Sequence, residues 1–233
     1  MSKSAAILAI GSLFWSTKPH RQAWRQARLS VESAIRVRAP IRYGRRSIKS
    51  GTYSMVFSNG LLPGQCGWAL AVPCRGVIHT FADLVDEAKA LWAAEQRELS
   101  SPGPLAASWG AVGILANPSR AALDLLMADW STMVAGEDEI YKKFPHDDGE
   151  AAAVTPDGKL AIPWPTTENR DSLNADFVLA TANKPTTPYA TAKTIADACR
   201  TSSEARRYFD ETRRVGIKTA FDDEILQCLE STG

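Results

Sequence analysis

The sequence has few residues of the kinds that hold metal ions or cross-link secreted domains. Its four cysteines, Cys66, Cys74, Cys199 and Cys228, lie far apart and match neither a zinc-binding pattern nor a dense disulfide framework. The three histidines do not have ligand spacing with one another. We therefore expect no metal and no cofactor, and we expect free thiols in a reducing cytoplasm.

Long hydrophobic runs are also missing. No run approaches the roughly 18 apolar residues of a membrane-spanning helix. The short apolar run over residues 5–10 is followed by basic residues and not by a small-residue cleavage site. A secretory signal is therefore not expected, and neither is a membrane partner. We predict a cytoplasmic protein.

Acidic residues are almost absent from residues 1–50, which contain eleven basic residues and only Glu32 as an acid. The 233-residue chain has a net charge of +1, so the remainder of the sequence is acidic. Such asymmetry suits an anionic partner, or a basic face that pairs with the acidic remainder. Aromatic residues are not interleaved with the basic ones, so nucleic acid is not the expected partner. The oligomeric state stays open.

Strand patterns dominate the first half of the sequence, and helical patterns dominate the end. Strands are predicted over residues 5–10, 35–43, 52–58, 66–73, 108–117 and 175–182. Helices are predicted over residues 18–33, 81–99, 119–137, 188–201, 203–214 and 221–230. Because several strands follow one another directly, we expect an α+β fold. Its predicted form is a small mixed β-barrel or curled sheet with flanking helices and a helical C-terminal extension.

Prolines give two further indications. Pro40 interrupts the alternating run over residues 35–43 and favours a sheet edge or a bulge. Residues 145–175 are rich in loop signals. We therefore predict a core over residues 1–144. Residues 145–233 are predicted to form a loop-rich segment and the helical extension, packed on that core.

The helix predicted over residues 81–99 has a carboxylate on its apolar face. At about 100° per residue, seven apolar residues share that face: Phe81, Leu84, Val85, Ala88, Leu91, Trp92 and Leu99. Glu95 lies within the same stripe. Burial raises the pKa of a carboxyl group toward the range that general acid–base catalysis uses. Glu95 is thus a candidate general acid/base, the alternatives being an ion pair with an arginine of the first half or a frayed helix end.

The segment AAILAIGSLFW, residues 5–15, is the second candidate. Gly11 allows close approach to the backbone, and amides that converge beyond a strand end bind anions. Ser12 adds a hydroxyl, while Leu13 and Phe14 are suited to anchor the loop on the core. The alternative is a simple turn, which is the commoner use of a Gly-Ser pair.

Together these features resemble the gamma-glutamyl cyclotransferase-like superfamily. Its members typically begin with a Tyr-Gly-Ser-Asn-type loop, and a later helix of the form D-L-…-L-D-x-x-E contains the catalytic glutamate. Residues 10–13, Ile-Gly-Ser-Leu, match the loop. Asp-Leu at 83–84 and Leu-Trp-Ala-Ala-Glu at 91–95 match the helix. The resemblance extends to about residue 114 and describes a divergent member, because Ile10, Leu13 and Trp92 replace the usual Tyr, Asn and Asp.

The resemblance implies an intramolecular cyclisation that releases 5-oxoproline from a γ-glutamyl amine or peptide. It implies that Glu95 moves the proton and that Gly11, Ser12 and Leu13 hold the substrate's α-carboxylate. Independently, Arg45 or Arg46 is a candidate for a second substrate carboxylate, with a solvated surface charge as the alternative. The expected partner is a small molecule bearing carboxylates.

Two rival functions remain open. One is a non-catalytic small-molecule or protein-binding module on the same fold, in which Glu95 is sealed in a salt bridge. The other is a thiol hydrolase built on Cys66 or Cys74 with His79 or another histidine, for which no local signature exists. The run His146-Asp147-Asp148 indicates a solvated acidic loop more than a metal site.

Overall fold

A computed structural model describes residues 2–96, 105–120, 123–136, 141, 152–187 and 189–231. Within these ranges the chain forms both strands and helices, which confirms the predicted α+β class. No helix of these ranges is both long enough and apolar enough to cross a membrane.

The described strands form a six-stranded mixed sheet and a separate two-stranded hairpin. Their bounds are β1 Ala5–Ala9, β2 Ile35–Ala39, β3 Ile41–Arg46, β4 Tyr53–Phe57, β5 Gly67–Pro73, β6 Ala106–Ala107, β7 Gly110–Ala116 and β8 Phe177–Asn183. The large sheet has the order β2-β5-β1-β8-β7-β6. Only β1 and β8 are parallel within it. The described strands do not close into a barrel, because β2 and β6 are edges; of the two predicted forms, the closed barrel is wrong.

Strands β1 and β8 form the middle of the sheet. All residues of β1 are buried, as are the first six of β8, a pattern typical of strands covered on both faces. Strand β8 belongs to the range 145–233 yet lies between β1 and β7. The predicted boundary at residue 145 stays a prediction, but the two ranges contribute to one sheet.

The alternating run over residues 35–43 was predicted as one strand, and this is wrong. It divides at Pro40 into β2, an edge of the large sheet, and β3, which pairs with β4. Proline has no N–H to donate to a strand ladder, so pairing cannot continue through it. The backbone oxygen of Pro40 instead accepts from the N–H of Ser58 at 2.9 Å. The predicted position of this proline at a sheet edge is confirmed.

Seven helices surround the strands in the described ranges. Their bounds are α1 Ser12–Trp15, α2 Pro19–Arg28, α3 Phe81–Glu95, α4 Asp124–Gly136, α5 Ala192–Thr201, α6 Ser203–Arg214 and α7 Asp222–Glu230. The three C-terminal helices confirm the prediction, with α5 starting later. Helix α2 ends at Arg28, earlier than predicted, and a short 3-10 turn covers Val31–Ser33. Helix α4 begins at Asp124, so Ser119 is not its cap.

Helix α3 packs against β7 and β8 on one side and against α2 on another. It begins with a capping box in which Thr80 accepts from the Asp83 N–H and the Asp83 carboxylate accepts from the Thr80 N–H. It ends at Glu95, because Gln96 has an extended backbone with ψ 150°. The predicted helical residues 97–99 lie outside the described ranges.

Candidate functional site

Strand β1 ends beside a cavity, and the chain turns there into the short helix α1. The strand reaches Gly11 from the buried middle of the sheet. Helix α1 begins at Ser12, and the first amides of a helix have no partner within that helix. Leu13 is buried, and Phe14 is half-buried against the core. The predicted anchoring of this segment by Leu13 and Phe14 is therefore confirmed.

Gly11 lies directly against the side chain of Tyr208 of α6. The φ of Gly11 is −173°, an extended conformation that any residue adopts. A Cβ at this position would lie 2.5 Å from the Tyr208 hydroxyl oxygen. That oxygen accepts a hydrogen bond from the backbone N–H of Met55 at 3.1 Å. The residue closest to Gly11 is thus a side chain of the C-terminal helices. The sequence did not indicate this contact.

Glu95 lies at the very end of α3 with its side chain 15 % exposed. The predicted apolar stripe is buried in part: Leu84, Ala88, Leu91 and Trp92 are buried, Phe81 and Val85 are half-buried, and Leu99 lies outside the described residues. Two expectations therefore apply to Glu95 together: its carboxylate lies on the apolar face of the helix, and it lies at the end of the helix.

Arg21 of α2 connects Glu95 to the segment after β1. Its Nη2 donates to Oε2 of Glu95 at 2.6 Å, and its Nη1 donates to Oγ of Ser12 at 2.9 Å. Its Nε donates to the backbone oxygen of Ala94 at 3.1 Å. The Arg21 side chain is 10 % exposed. The expected alternative, an ion pair between Glu95 and an arginine of the first half, is confirmed.

A cavity of about 700 Å³ opens beside this connection. All five residues predicted for the site line it: Gly11, Ser12, Leu13, Arg45 and Glu95. Residues that the sequence did not single out line it as well, among them Arg21, Tyr208 and Trp109. The structure therefore brings the predicted residues together around a space of the size that holds small molecules, and their individual roles stay predictions.

Burial sets the protonation of two groups in this cavity. It raises the pKa of the Glu95 carboxyl, while the charges of Arg21 and Lys18 act in the opposite direction. It also raises the pKa of the Tyr208 hydroxyl, which therefore keeps its proton. The cavity thus contains a carboxylate suited to exchange a proton and a neutral hydroxyl able to donate a hydrogen bond.

Arg45 and Arg46 are adjacent in sequence, but of the two only Arg45 lines this cavity. The register of the β3–β4 pair shifts between Tyr43 and Arg45, and such a bulge re-aims side chains. Arg45 lines the cavity, where its Nη1 donates to the backbone oxygen of Trp109 at 2.8 Å. The ring of Trp109 stacks on Trp92 with 4.9 Å between ring centres. Arg46 lies outside this cavity and is exposed.

Arg21 and Tyr208 were not predicted as site residues. A signal for Arg21 exists, because Arg21, Arg25 and Arg28 recur at helical spacing and share one face of α2. Arg25 donates to the backbone oxygen of Leu13 at 2.7 Å, and Arg28 pairs with Asp86 at 2.6 Å. For Tyr208 no local signal exists, because its contacts come from distant parts of the chain.

The two cysteines of the alternative thiol-hydrolase hypothesis and His79 do not line the cavity. Burial raises the pKa of the thiols of Cys66 and Cys74, so neither is an activated thiolate. His79 is exposed. The run 146–148 lies outside the described residues. In the part of the chain that the structure describes, no three His, Cys, Asp or Glu residues are grouped to hold a metal ion.

No protein-family model, curated protein or solved structure matches this chain. The resemblance to the gamma-glutamyl cyclotransferase-like superfamily therefore depends on residues 10–13 and on Glu95 in its helix. The residues of the cavity bear on the function more directly than the fold does, since a fold alone does not determine an activity.

Proposed function

We propose that this chain is a gamma-glutamyl cyclotransferase-like enzyme, with the superfamily's curled sheet and flanking helices. It cyclises a γ-glutamyl amine or peptide and releases 5-oxoproline. The observation that carries the proposal is that Glu95 and residues 11–13, which come from different elements, line one cavity. Arg21 supports it further, because one guanidinium contacts both Ser12 and Glu95.

The substrate's α-carboxylate is assigned to the amides of Ser12 and Leu13 and to the Ser12 hydroxyl. A carboxylate accepts such hydrogen bonds strongly. Arg45 is assigned to a second carboxylate on the leaving group, since its guanidinium lines the same cavity. Held at both ends, the substrate presents its α-amine to its own γ-carbonyl carbon. The α-amine is therefore the nucleophile, and the protein does not need to supply one.

The reaction moves two protons between nitrogen atoms of the substrate. The Glu95 carboxylate takes a proton from the α-ammonium group, and the free amine attacks the γ-carbonyl carbon. The protonated Glu95 then delivers a proton to the leaving nitrogen, and the bond from the carbonyl carbon to that nitrogen breaks. The lactam nitrogen loses a second proton, and the departed amine takes up one, so protons balance. A carboxyl group whose pKa is raised by burial suits both transfers.

Two neighbours assist this chemistry. Arg21 holds the Glu95 carboxylate in one orientation through the 2.6 Å contact. The protonated hydroxyl of Tyr208 is a suitable donor to the oxygen that becomes negative when the amine attacks. It lies in the same cavity as Glu95.

The proposal is tested by measuring 5-oxoproline released from γ-L-glutamyl-L-alanine. We expect turnover by the wild type and a loss of roughly 10²- to 10⁴-fold in Glu95→Gln, the usual contribution of a general acid/base. Glu32→Gln is the matched control, because Glu32 is an exposed glutamate that does not line the cavity. Equal rates in Glu95→Gln and the wild type would contradict the mechanism.

A non-catalytic binding module is the second candidate, and one observation favours it. Glu95 already has a short ion pair with Arg21, and this pair satisfies the carboxylate without a substrate. A binding module predicts that γ-glutamyl compounds bind to the wild type without any release of 5-oxoproline.

A further inference from the structure

A second cleft of about 1200 Å³ continues from the cavity, and we call it the outer cleft. The two spaces are contiguous, because both are lined by Ser12, Lys18, Arg21, Arg45, Ser54 and Tyr208. Among the described residues that line it, one is acidic, Glu204, and six are basic: Lys18, Arg21, Arg45, Arg46, Lys49 and Arg207. A concave surface of one charge sign concentrates ligands of the opposite sign.

Three of these basic residues belong to the outer cleft alone: Arg46, Lys49 and Arg207. All three are exposed, and in the described part of the chain none has an ion pair with an acidic side chain. Arginines nearby on α6 differ, since Arg206 pairs with Asp210 at 2.7 Å. Charges of one sign that stay uncompensated across a cleft repel one another until an anion enters.

The two walls of the outer cleft are held together. The hairpin loop between β3 and β4 forms one wall, and the start of α6 forms the other. The hydroxyl of Ser202, which caps α6, donates to the backbone oxygen of Ser50 at 2.8 Å. The backbone N–H of Arg46 donates to the Thr186 hydroxyl at 3.0 Å. The backbone that bears Arg46, Lys49 and Arg207 is therefore placed before a ligand binds.

We propose that the outer cleft binds a phosphate group on the amine that leaves the substrate. This inference rests on the proposed function, because the leaving group is taken to extend from the carbonyl beside Glu95 into the outer cleft. A single carboxylate is matched by Arg45 alone, whereas the three further cations match a group with two negative charges. Guanidinium and ammonium groups are the usual partners of phosphate. The substrate class is thus a γ-glutamyl amine whose amine portion is phosphorylated.

The binding test needs no catalysis. We would titrate the full chain with O-phospho-L-serine and with pyrophosphate by calorimetry. We expect each of Arg46→Ala, Lys49→Ala and Arg207→Ala to weaken binding by about three- to tenfold, and added salt to weaken it further. Arg206→Ala is the matched control, because Arg206 is exposed on the same helix but does not line the outer cleft. Absence of binding to the wild type, or equal affinity in all four variants, would overturn the inference.

The catalytic test separates this inference from the proposed function. We would compare kcat/KM for γ-L-glutamyl-O-phospho-L-serine and γ-L-glutamyl-L-alanine. A preference for the phosphorylated peptide that falls in Arg207→Ala, but not in Arg206→Ala, supports the inference. Equal rates with both peptides in every variant overturn it and leave the cyclotransferase in place. Phosphate binding that depends on Arg207, without 5-oxoproline from either peptide, overturns the cyclotransferase and leaves the anion site.

Discussion

Nη2 of Arg21 lies 2.6 Å from Oε2 of Glu95, with the two side chains 10 % and 15 % exposed. The same guanidinium donates to the Ser12 hydroxyl. This arrangement places a largely buried carboxylate, its counter-charge and the end of β1 around one cavity.

The pH dependence of the proposed reaction reports the ionisation of Glu95. The carboxylate must be ionised to accept a proton, and burial raises its pKa from the ordinary 4.5. The charge of Arg21 lowers this pKa, so Arg21→Gln should move the acidic limb of the kcat/KM profile to higher pH. Arg28→Gln is the control, because Arg28 lies on the same helix but pairs with Asp86 and Glu87 and not with Glu95. A limb that stays in place, or moves to lower pH, in Arg21→Gln would contradict this role.

Gly11→Ala should destabilise the fold through Tyr208. The new Cβ would lie 2.5 Å from the Tyr208 hydroxyl oxygen, and such overpacking costs about 1–3 kcal/mol in the free energy of unfolding. In the background of Tyr208→Phe, which lacks that oxygen, the same substitution should cost less. Denaturant unfolding of both singles and the double measures this coupling.

A control for this substitution is available in Gly64→Ala. No atom lies within 4 Å of a Cβ added there. Its cost should therefore be small in either background. Additive effects of Gly11→Ala and Tyr208→Phe would show that the close approach of the two residues does not determine the choice of glycine.

Arg45→Lys should raise KM for γ-L-glutamyl-L-alanine by roughly tenfold with little change in kcat, the loss expected when a paired guanidinium contact is replaced. The alanine carboxylate is the group that Arg45 is assigned to hold. γ-L-glutamyl-ethylamide lacks this carboxylate and is the matched control substrate. If KM rises equally for both compounds, Arg45 does not bind the leaving group.

Asp222 should make stability depend on pH. It is fully buried, and its Oδ1 accepts from the N–H and the hydroxyl of Thr219 at 3.0 and 2.6 Å. Burial raises its pKa from 3.8 to about 6. The folded state therefore binds this proton more tightly than the unfolded state, and the contribution is complete below pH 3.8 and lost as pH rises through about 6.

Relative to Asp222→Asn, which does not titrate, the wild type should lose up to about 3 kcal/mol of its free energy of unfolding across that pH range. Thermal or urea unfolding at a series of pH values measures the difference. The neighbouring Asp223 is 69 % exposed and provides the control variant Asp223→Asn. A difference that is constant with pH would show that Asp222 ionises normally in the folded protein.

Local patterns were sufficient for much of the fold. The apolar run of β1 and the stripe of α3 predicted both elements, because strand and helix periodicities depend on neighbouring residues. The stripe also predicted that Glu95 would be nearly buried. Pro40 indicated that the strand pattern is interrupted, but not whether the interruption is a bulge or a division into two strands. That choice depends on the strands with which each half pairs.

The candidate site was predicted only where its residues belong to local patterns. Gly11, Ser12 and Glu95 each stood out within a short segment. The spacing of Arg21 and Arg25 on one helix face indicated that Arg21 could be a partner of Glu95. The first half of the sequence contains several other arginines, however, and the spacing alone does not choose among them. The approach of Tyr208 to Gly11 joins parts of the chain that no periodicity relates, so only the folded chain reveals it.

The most direct measurement is a crystal structure with N-glutaryl-L-alanine, which keeps both carboxylates of γ-L-glutamyl-L-alanine but lacks the α-amine and cannot cyclise. The account predicts that its glutaryl carboxylate accepts from the amides of Ser12 and Leu13. It also predicts that its amide nitrogen lies within about 3.2 Å of the Glu95 carboxylate, or is joined to it by one water, which is the reach of a general acid/base. A ligand bound elsewhere, or bound in the cavity without contact to Glu95, would contradict the proposal that this glutamate and the end of β1 form one active site.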